Sequence, residues 1–285
     1  MSDTSAQKLK AETLRRLHQA PPILVLPNAW DAASAVLFEH AGARAIATTS
    51  AGVANSLGYA DGQYAPLDEV LKVTAHMAAV VHVPLSADLE AGYSDTPDEL
   101  ATVIRRLIEA GAVGVNLEDG LPAGSKQVLR DVAEQQERLR AARRAADTLG
   151  IPLVINARTD VFLHQLGEPV TRLRETLRRL EAYRQAGADC LFVPGVSGDV
   201  ATIGELVRQL QAPLNILAGP ATPPVSELGK LGVARLSVGS GLHRASLAFA
   251  ERLAREILGG GGFKPLACDL SYARLNSLLN MRSSE

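Results

Sequence analysis

The sequence predicts a (β/α)8 TIM barrel, an α/β fold, with an extra helical arm at its C-terminal end. Three observations lead there. Eight short apolar runs recur along the 285 residues. Longer segments with helical spacing separate most of them, and strands that alternate with helices pair in parallel through crossovers. Eight such units in about 250 residues match a closed barrel better than an open doubly wound sheet, which is the structural alternative.

The elements follow in order. Residues 1–22 are polar and helical in period, with no apolar core of a secretory signal. The apolar runs are 23–26, 45–49, 83–88, 113–118, 153–158, 190–193, 214–217 and 236–238. Helical spacing marks the connecting segments Leu67–Val80, 100–110 and 173–186. Three helices end in one phrase, Ala41-Gly42-Ala43, Ala110-Gly111-Ala112 and Ala186-Gly187-Ala188. The glycine is a natural left-handed cap, and a strand follows at once. Thr96-Pro97-Asp98-Glu99 is a capping box with proline at the first helical position. No linker divides the chain, so 1–285 reads as one domain. After a glycine run at 259–262, residues 263–281 carry Leu266, Leu270, Leu275, Leu278 and Leu279. Residues 263–285 therefore read either as a helix folded back on its own barrel or as an arm on a neighbouring subunit.

Composition narrows the function. The chain is 47% hydrophobic and 21% charged, as ordinary globular proteins are. Its formal net charge of -2 and lack of a long basic run argue against nucleic acid and anionic membrane partners. No apolar stretch approaches the ~20 residues of a membrane helix. Cys190 and Cys268 have no paired or metal-ligand spacing. Cys190 reads as a buried thiol, and a reducing cytoplasm is the expected setting.

Active sites of such barrels form at the C-terminal ends of the strands. The third predicted strand ends Asp88-Leu89-Glu90, and alternation puts Asp88 and Glu90 on one side. The fourth ends Asn116-Leu117-Glu118-Asp119, one strand spacing of about 4.8 Å away. Three carboxylates would converge, at a cost in repulsion and desolvation unless a cation joins them. Oxygen ligands with few direct contacts suit Mg2+. The plainer reading is a set of solvated loop acids. The fifth strand ends Asn156-Ala157-Arg158-Thr159-Asp160. Arg158 could bind a carboxylate through two parallel hydrogen bonds, or pair with Asp160 or Glu118. Thr49-Ser50-Ala51-Gly52 could turn backbone N–H groups towards an anion, or be an ordinary loop. Gly239-Ser240-Gly241 reads as a tight turn sooner than a phosphate site.

Other chemistries lack their residues. None of the lysines, Lys8, Lys10, Lys72, Lys126, Lys230 and Lys264, falls in a predicted strand, which argues against a Schiff-base aldolase. The six histidines show no zinc spacing, and no GxGxxG follows the first strand.

Taken together, the segments 88–93, 116–119 and 156–160 resemble the isocitrate lyase/phosphoenolpyruvate mutase superfamily. Leu57-Gly58-Tyr59-Ala60-Asp61 is similar to its loop after the second strand, and Pro27-Asn28-Ala29 to its first strand end. Glu181-Ala182-Tyr183 and Ala186-Gly187-Ala188-Asp189 fit as well. The resemblance runs from about Pro27 to Arg244. It implies the barrel and a homotetramer, or a homodimer, with the C-terminal helix swapped between subunits. It implies Mg2+, with Mn2+ as a substitute. Asp88 matches the direct metal ligand, and Asp61, Glu90 and Glu118 match residues that hold the metal's waters. Arg158 matches the arginine that contacts substrate. Thr49, Ser50 and Ala51 match the loop that grips its carboxylate or phosphoryl group, and Asn215 is placed with them. Arg158, Glu118 and Asp61 carry the expected catalytic roles.

The implied reaction breaks the bond to C3 of a 2-oxo acid and leaves an enolate. Lyases of isocitrate and 2-methylisocitrate carry a lysine-cysteine-glycine-histidine motif in the loop after the fourth strand. Here that loop reads Asp119-Gly120-Leu121-Pro122-Ala123-Gly124-Ser125-Lys126, without cysteine or histidine. The sixth strand ends Val193-Pro194-Gly195, where relatives place a glutamate or histidine. The expectation is therefore an Mg2+-dependent carbon–carbon lyase of a small 2-oxo or 2-hydroxy di- or tricarboxylic acid, weak towards isocitrate or 2-methylisocitrate. A phosphonopyruvate or phosphoenolpyruvate mutase or hydrolase, an oxaloacetate decarboxylase, and a non-catalytic barrel that binds a 2-oxo acid are the alternatives.

Overall fold

Short apolar strands need neighbours on both sides, and here each finds them in parallel. The computed structural model describes residues 4–19, 21–121 and 128–280. The strands are β1 (Leu24–Leu26), β2 (Asn28–Ala29), β3 (Ile46–Thr48), β4 (Leu85–Asp88), β5 (Gly114–Glu118), β6 (Val154–Arg158), β7 (Cys190–Val193), β8 (Leu214–Leu217) and β9 (Arg235–Ser237). They form one sheet in the order β1-β9-β8-β7-β6-β5-β4-β3-β2. Pro27 alone separates β1 from β2. β1 pairs with β9 and β2 pairs with β3, so two halves of one stave close the ring. A proline offers no N–H to a ladder, which splits the stave there; its carbonyl still accepts from the Ala47 N–H at 3.1 Å. The eight predicted strands thus become eight staves, the first divided.

The helices are α1 (Thr4–Leu17), α2 (Ala32–His40), α3 (Ser50–Ser56), α4 (Leu67–Val80), α5 (Pro97–Glu109), α6 (Val132–Thr148), α7 (Pro169–Gln185), α8 (Val200–Leu210), α9 (Val225–Leu231), α10 (Gly241–Leu258) and α11 (Tyr272–Asn280). The expected capping box is formed: the Glu99 N–H donates to Thr96 Oγ1 at 3.3 Å, and the Thr96 N–H donates to Glu99 Oε2 at 3.0 Å. α5 buries Leu100, Val103, Ile104, Leu107 and Ile108 at helical spacing against the core. α1 plugs the N-terminal end of the barrel with Ala11 and Leu14. Leu14 approaches so closely that a Cβ on Gly114 would lie 2.8 Å from its Cδ2. Burial pushes the Cys190 thiol up to about 12, as its apolar setting predicts.

Two expectations change in detail. The last strand starts at Arg235 rather than one residue later. The helix expected over 263–281 is broken: Lys264–Leu266 is one 3-10 turn, and α11 begins at Tyr272. Pro265 cannot donate to a helix, and the Ser271 hydroxyl caps a new one by accepting from the Arg274 N–H at 3.2 Å. Among the described residues no helix is long and apolar enough to cross a membrane.

Candidate active site

A cavity of about 190 Å3 opens at the C-terminal ends of the strands, and Thr49, Ser50, Asp61, Asp88, Arg158 and Arg235 are among the residues that line it. Asp88 ends β4 and is held from three sides. Its Oδ1 accepts from Asn116 Nδ2 at 2.8 Å and from the Glu90 N–H at 3.2 Å. Asn116 Oδ1 in turn accepts from Asn156 Nδ2 at 2.7 Å. Asp88 Oδ2 accepts one long bond, 3.4 Å, from the Ser50 N–H. Asp88 also lines the cavity.

Strand alternation does not deliver Glu90, contrary to the sequence argument. β4 ends at Asp88, and Glu90 takes a left-handed backbone with φ of 52°. The turn still brings its carboxyl to the same place, where Tyr93 Oη donates to Oε1 at 3.3 Å. Burial, then the charges of Asp88 and Asp61, push Glu90 up to about 7. Asp61 arrives from the segment after α3. Burial and then Asp88 raise its pKa, against a hydrogen bond from the Ser50 side chain. Burial holds Glu118 well above the usual carboxylate range, against the pull of Arg158.

Arg158 shows both roles that its position allows. It lines the cavity. It also pairs with Glu118 (Nη1–Oε2, 2.9 Å) and donates to Asp160 through Nε at 2.5 Å and Nη2 at 3.0 Å. Burial opposes its charge, but Glu118 and Asp160 outweigh that and raise its pKa. Its guanidinium carbon also lies 5.8 Å from the centre of the Phe192 ring.

Thr49, Ser50 and Ala51 form the start of α3, with Thr49 Oγ1 accepting from the Gly52 N–H at 3.4 Å. All three line the cavity. Asn215 lies beneath it, fully buried, with Oδ1 accepting from Ser237 Oγ at 3.2 Å. Gly239 and Ser240 reach the cavity rim. Gly195 has φ of 91°, and a Cβ there would sit 2.9 Å from the backbone of Phe162 and Leu163. The loop after β6 therefore fills the space that a side chain at this position would need.

The neck of the loop after β5 is well fixed. Gly120 bridges Leu129, and the Arg130 N–H donates to Asp119 O at 2.8 Å. Below it, Asp119 accepts from Thr159 Oγ1 (2.7 Å), Tyr183 Oη (2.7 Å), Arg179 Nη1 (3.1 Å) and the Asp160 N–H (3.0 Å). The loop positions 122–127, Lys126 included, lie outside the described residues.

Sequence reasoning passed over two cavity residues. Asn28 closes the ring: its Nδ2 donates to Thr48 O, and its Oδ1 accepts from the Val238 and Gly239 N–H groups, both at 2.9 Å. Arg235 is buried at the start of β9 and also lines the cavity. Its signal was a lone arginine flanked by Val233, Ala234 and Leu236.

Buried acids that raise one another's pKa need a cation, and the donor set fits Mg2+. Among the described residues no three acid, histidine or cysteine side chains converge on one point. An Mg2+ ion, which keeps most of its waters, needs fewer direct protein ligands than that. Asp88 would hold such an ion directly, and Asp61, Glu90 and Glu118 would face its waters.

Comparison with known proteins agrees with this geometry. The family model of phosphoenolpyruvate phosphomutase matches residues 14–258. The 2-methylisocitrate lyase of Escherichia coli (strain K12) is 31% identical over 195 residues, 66% of this chain and 64% of the relative. A crystal structure from Burkholderia cenocepacia J2315, described in outline as a lyase/mutase, superposes with a TM-score of 0.88 at 38% identity, over 96% of both chains. The structure of 2,3-dimethylmalate lyase, a member of the PEP mutase/isocitrate lyase superfamily, gives 0.82 at 27% identity, also over 96% of both chains. The chain therefore belongs to the phosphoenolpyruvate phosphomutase family, within the isocitrate lyase/PEP mutase superfamily of carbon–carbon lyases and mutases.

Proposed function

We propose that this enzyme is an Mg2+-dependent lyase that breaks the bond to C3 of a small 2-oxo or 2-hydroxy di- or tricarboxylic acid through an enolate. One observation carries the reading: the buried Glu90, the half-buried Asp88 and Glu118 and the more open Asp61 are close enough for their charges to act on one another, beside a cavity that Asp61, Asp88 and Arg158 line. When bound, Mg2+ supplies positive charge to the oxygens on which the enolate charge develops.

The chain's own residues do the rest. Asn116 and the Glu90 N–H orient Asp88. Glu118 and Asp160 fix the plane of Arg158, so its guanidinium waits for the growing charge without rearrangement. Thr49, Ser50 and Ala51 line the same cavity and receive the acid's carboxylate. The loop 119–126 lacks the cysteine and histidine of isocitrate-cleaving relatives. Losing one positioned acid costs ~10²–10⁴-fold in rate, so cleavage of isocitrate or 2-methylisocitrate is expected to be weak. We include assembly through residues 263–285, as a homotetramer, in the same proposal.

Thermal unfolding with oxalate, which mimics a pyruvate enolate, tests the site. Mg2+ with oxalate should raise the melting temperature by several degrees, and neither alone should. Asp88→Asn should abolish the joint effect while leaving the barrel folded. Undiminished Mg2+-dependent oxalate binding by that variant would remove Asp88 from the metal site. A panel of isocitrate, 2-methylisocitrate, oxaloacetate and phosphonopyruvate then separates C–C from P–C cleavage, and a barrel that binds all and turns over none would be a binding protein.

A further inference from the structure

Arg235 is a buried cation with no acid in ion-pair contact, although the charge of Asp88 reaches it and works against the cost of burial. It is 2% exposed. Its Nε donates to Ser237 Oγ at 3.2 Å, and Ser237 Oγ donates onward to Asn215 Oδ1. Its Nη1 is buried with no partner, and so is Asn215 Nδ2 beside it. Among the described residues no carboxylate lies within 4.0 Å of it. Of the other buried arginines, two have an acid in contact and one is held by backbone carbonyls. Arg130 pairs with Glu134, Arg179 with Asp119 and Glu175, and Arg138 donates to Ala91 O and Ser94 O. A buried ion without a partner is costly, so such a group usually marks a place where a ligand supplies the missing charge.

The sheet register shows what ligand could do so. Glu118, Arg158, Phe192, Asn215 and Arg235 occupy one continuous row across β5, β6, β7, β8 and β9. Arg158 and Arg235 thus lie in one row, three strands apart, and line one cavity. Glu118 and Asp160 already neutralise Arg158. Arg235 has no such acid.

We propose that Arg235 binds a second acidic group of the substrate, a carboxylate or a phosphonate, and so selects diacids over monoacids. This rests on the enolate-site reading above. The carboxylate next to the reacting carbonyl faces Arg158, Thr49, Ser50 and Ala51, and the second acidic group meets Arg235. Arg235 is then a specificity-determining residue rather than part of the metal site.

Titration calorimetry with Mg2+ on the intact chain tests it. The probes are oxalate, pyruvate, oxaloacetate, 2-oxoglutarate and phosphonopyruvate. The wild type should bind at least one of oxaloacetate, 2-oxoglutarate and phosphonopyruvate, whose second acidic group lies beyond the enolate portion, about tenfold or more tightly than pyruvate. Arg235→Met should erase that preference while changing the oxalate and pyruvate affinities less than about threefold. Arg235→Lys should keep part of the preference and stands in if the methionine variant does not fold. Loss for phosphonopyruvate alone, or for the dicarboxylates alone, names the acidic group. Equal weakening of all probes would overturn the assignment in favour of a structural arginine. So would a wild type that binds oxalate with Mg2+ but shows no diacid preference. Absence of Mg2+-dependent oxalate binding in the wild type would overturn the enolate-site reading itself.

Discussion

His18 lies under Arg235 at the closed end of the barrel, with Nδ1 2.8 Å from Leu14 O. Burial, then the charge of Arg235, lowers its pKa from 6.5 to about 4. The sign follows from the two states. Above pH 6.5 both are neutral and the full stability is present. Between 6.5 and 4 the unfolded chain takes up a proton that the folded one refuses, so stability falls by up to about 3 kcal/mol. Below 4 this loss is complete. His18→Asn should therefore lose less stability than the wild type between pH 7 and pH 4, measured by urea unfolding at several pH values. A wild-type advantage that stays constant over that range would refute the coupling. Residues of this kind were the least legible in the sequence. Asp88 was readable because it ends a strand at the expected mouth. Glu90 was named for a reason that fails, since its placement comes from a left-handed turn. Arg235 was missed because one arginine in an apolar run carries no spacing signal; only the closed ring shows that it lines the cavity with no acid in contact.

At the scale of elements, periodicity and capping were informative because they are local. α4 spans the expected Leu67–Val80, and the Thr96 capping box starts α5 where it should. Ties between distant elements were not readable. Asp119 follows β5, yet it binds Thr159 after β6 and Arg179 and Tyr183 on α7. Burial raises its pKa, and these donors act against that. Asp119→Ala would leave Arg179 half paired and free three donors, at a cost of about 3–5 kcal/mol. Tyr183→Phe removes one donor and leaves the others, at about 1 kcal/mol. Denaturant unfolding should rank them in that order. Because Asp119 also roots the loop after β5, Asp119→Ala should increase proteolysis near residues 122–127 more than Tyr183→Phe does. Equal destabilisation by the two substitutions would mean that Asp119 is not the hub.

For the whole molecule, the unresolved choice in the sequence was whether residues 263–285 cover their own barrel or another's. α11 does lie beside α2. It buries no residue there, and neither does the 3-10 turn before it. α10, at 18 residues, buries only His243, whereas α5 buries five side chains in 13 residues. Leu258 is 87% exposed, Tyr272 88% and Phe263 68%, with Leu247 and Phe249 also open. This many exposed apolar side chains on α10 and the segment after it call for a cover. Nothing in the rest of the monomer supplies it, since the described core is already filled by α1 and the strands. A second copy offers the same helices in return, and a symmetric exchange closes on itself. Light scattering should therefore report an oligomer, expected to be a tetramer, for the full chain. Truncation after Gly260 should give a smaller species that retains Mg2+-dependent oxalate binding, because no cavity residue lies in the removed segment. An unchanged mass after truncation would place the interface elsewhere, and a monomeric full chain would mean that α11 closes on α2 alone.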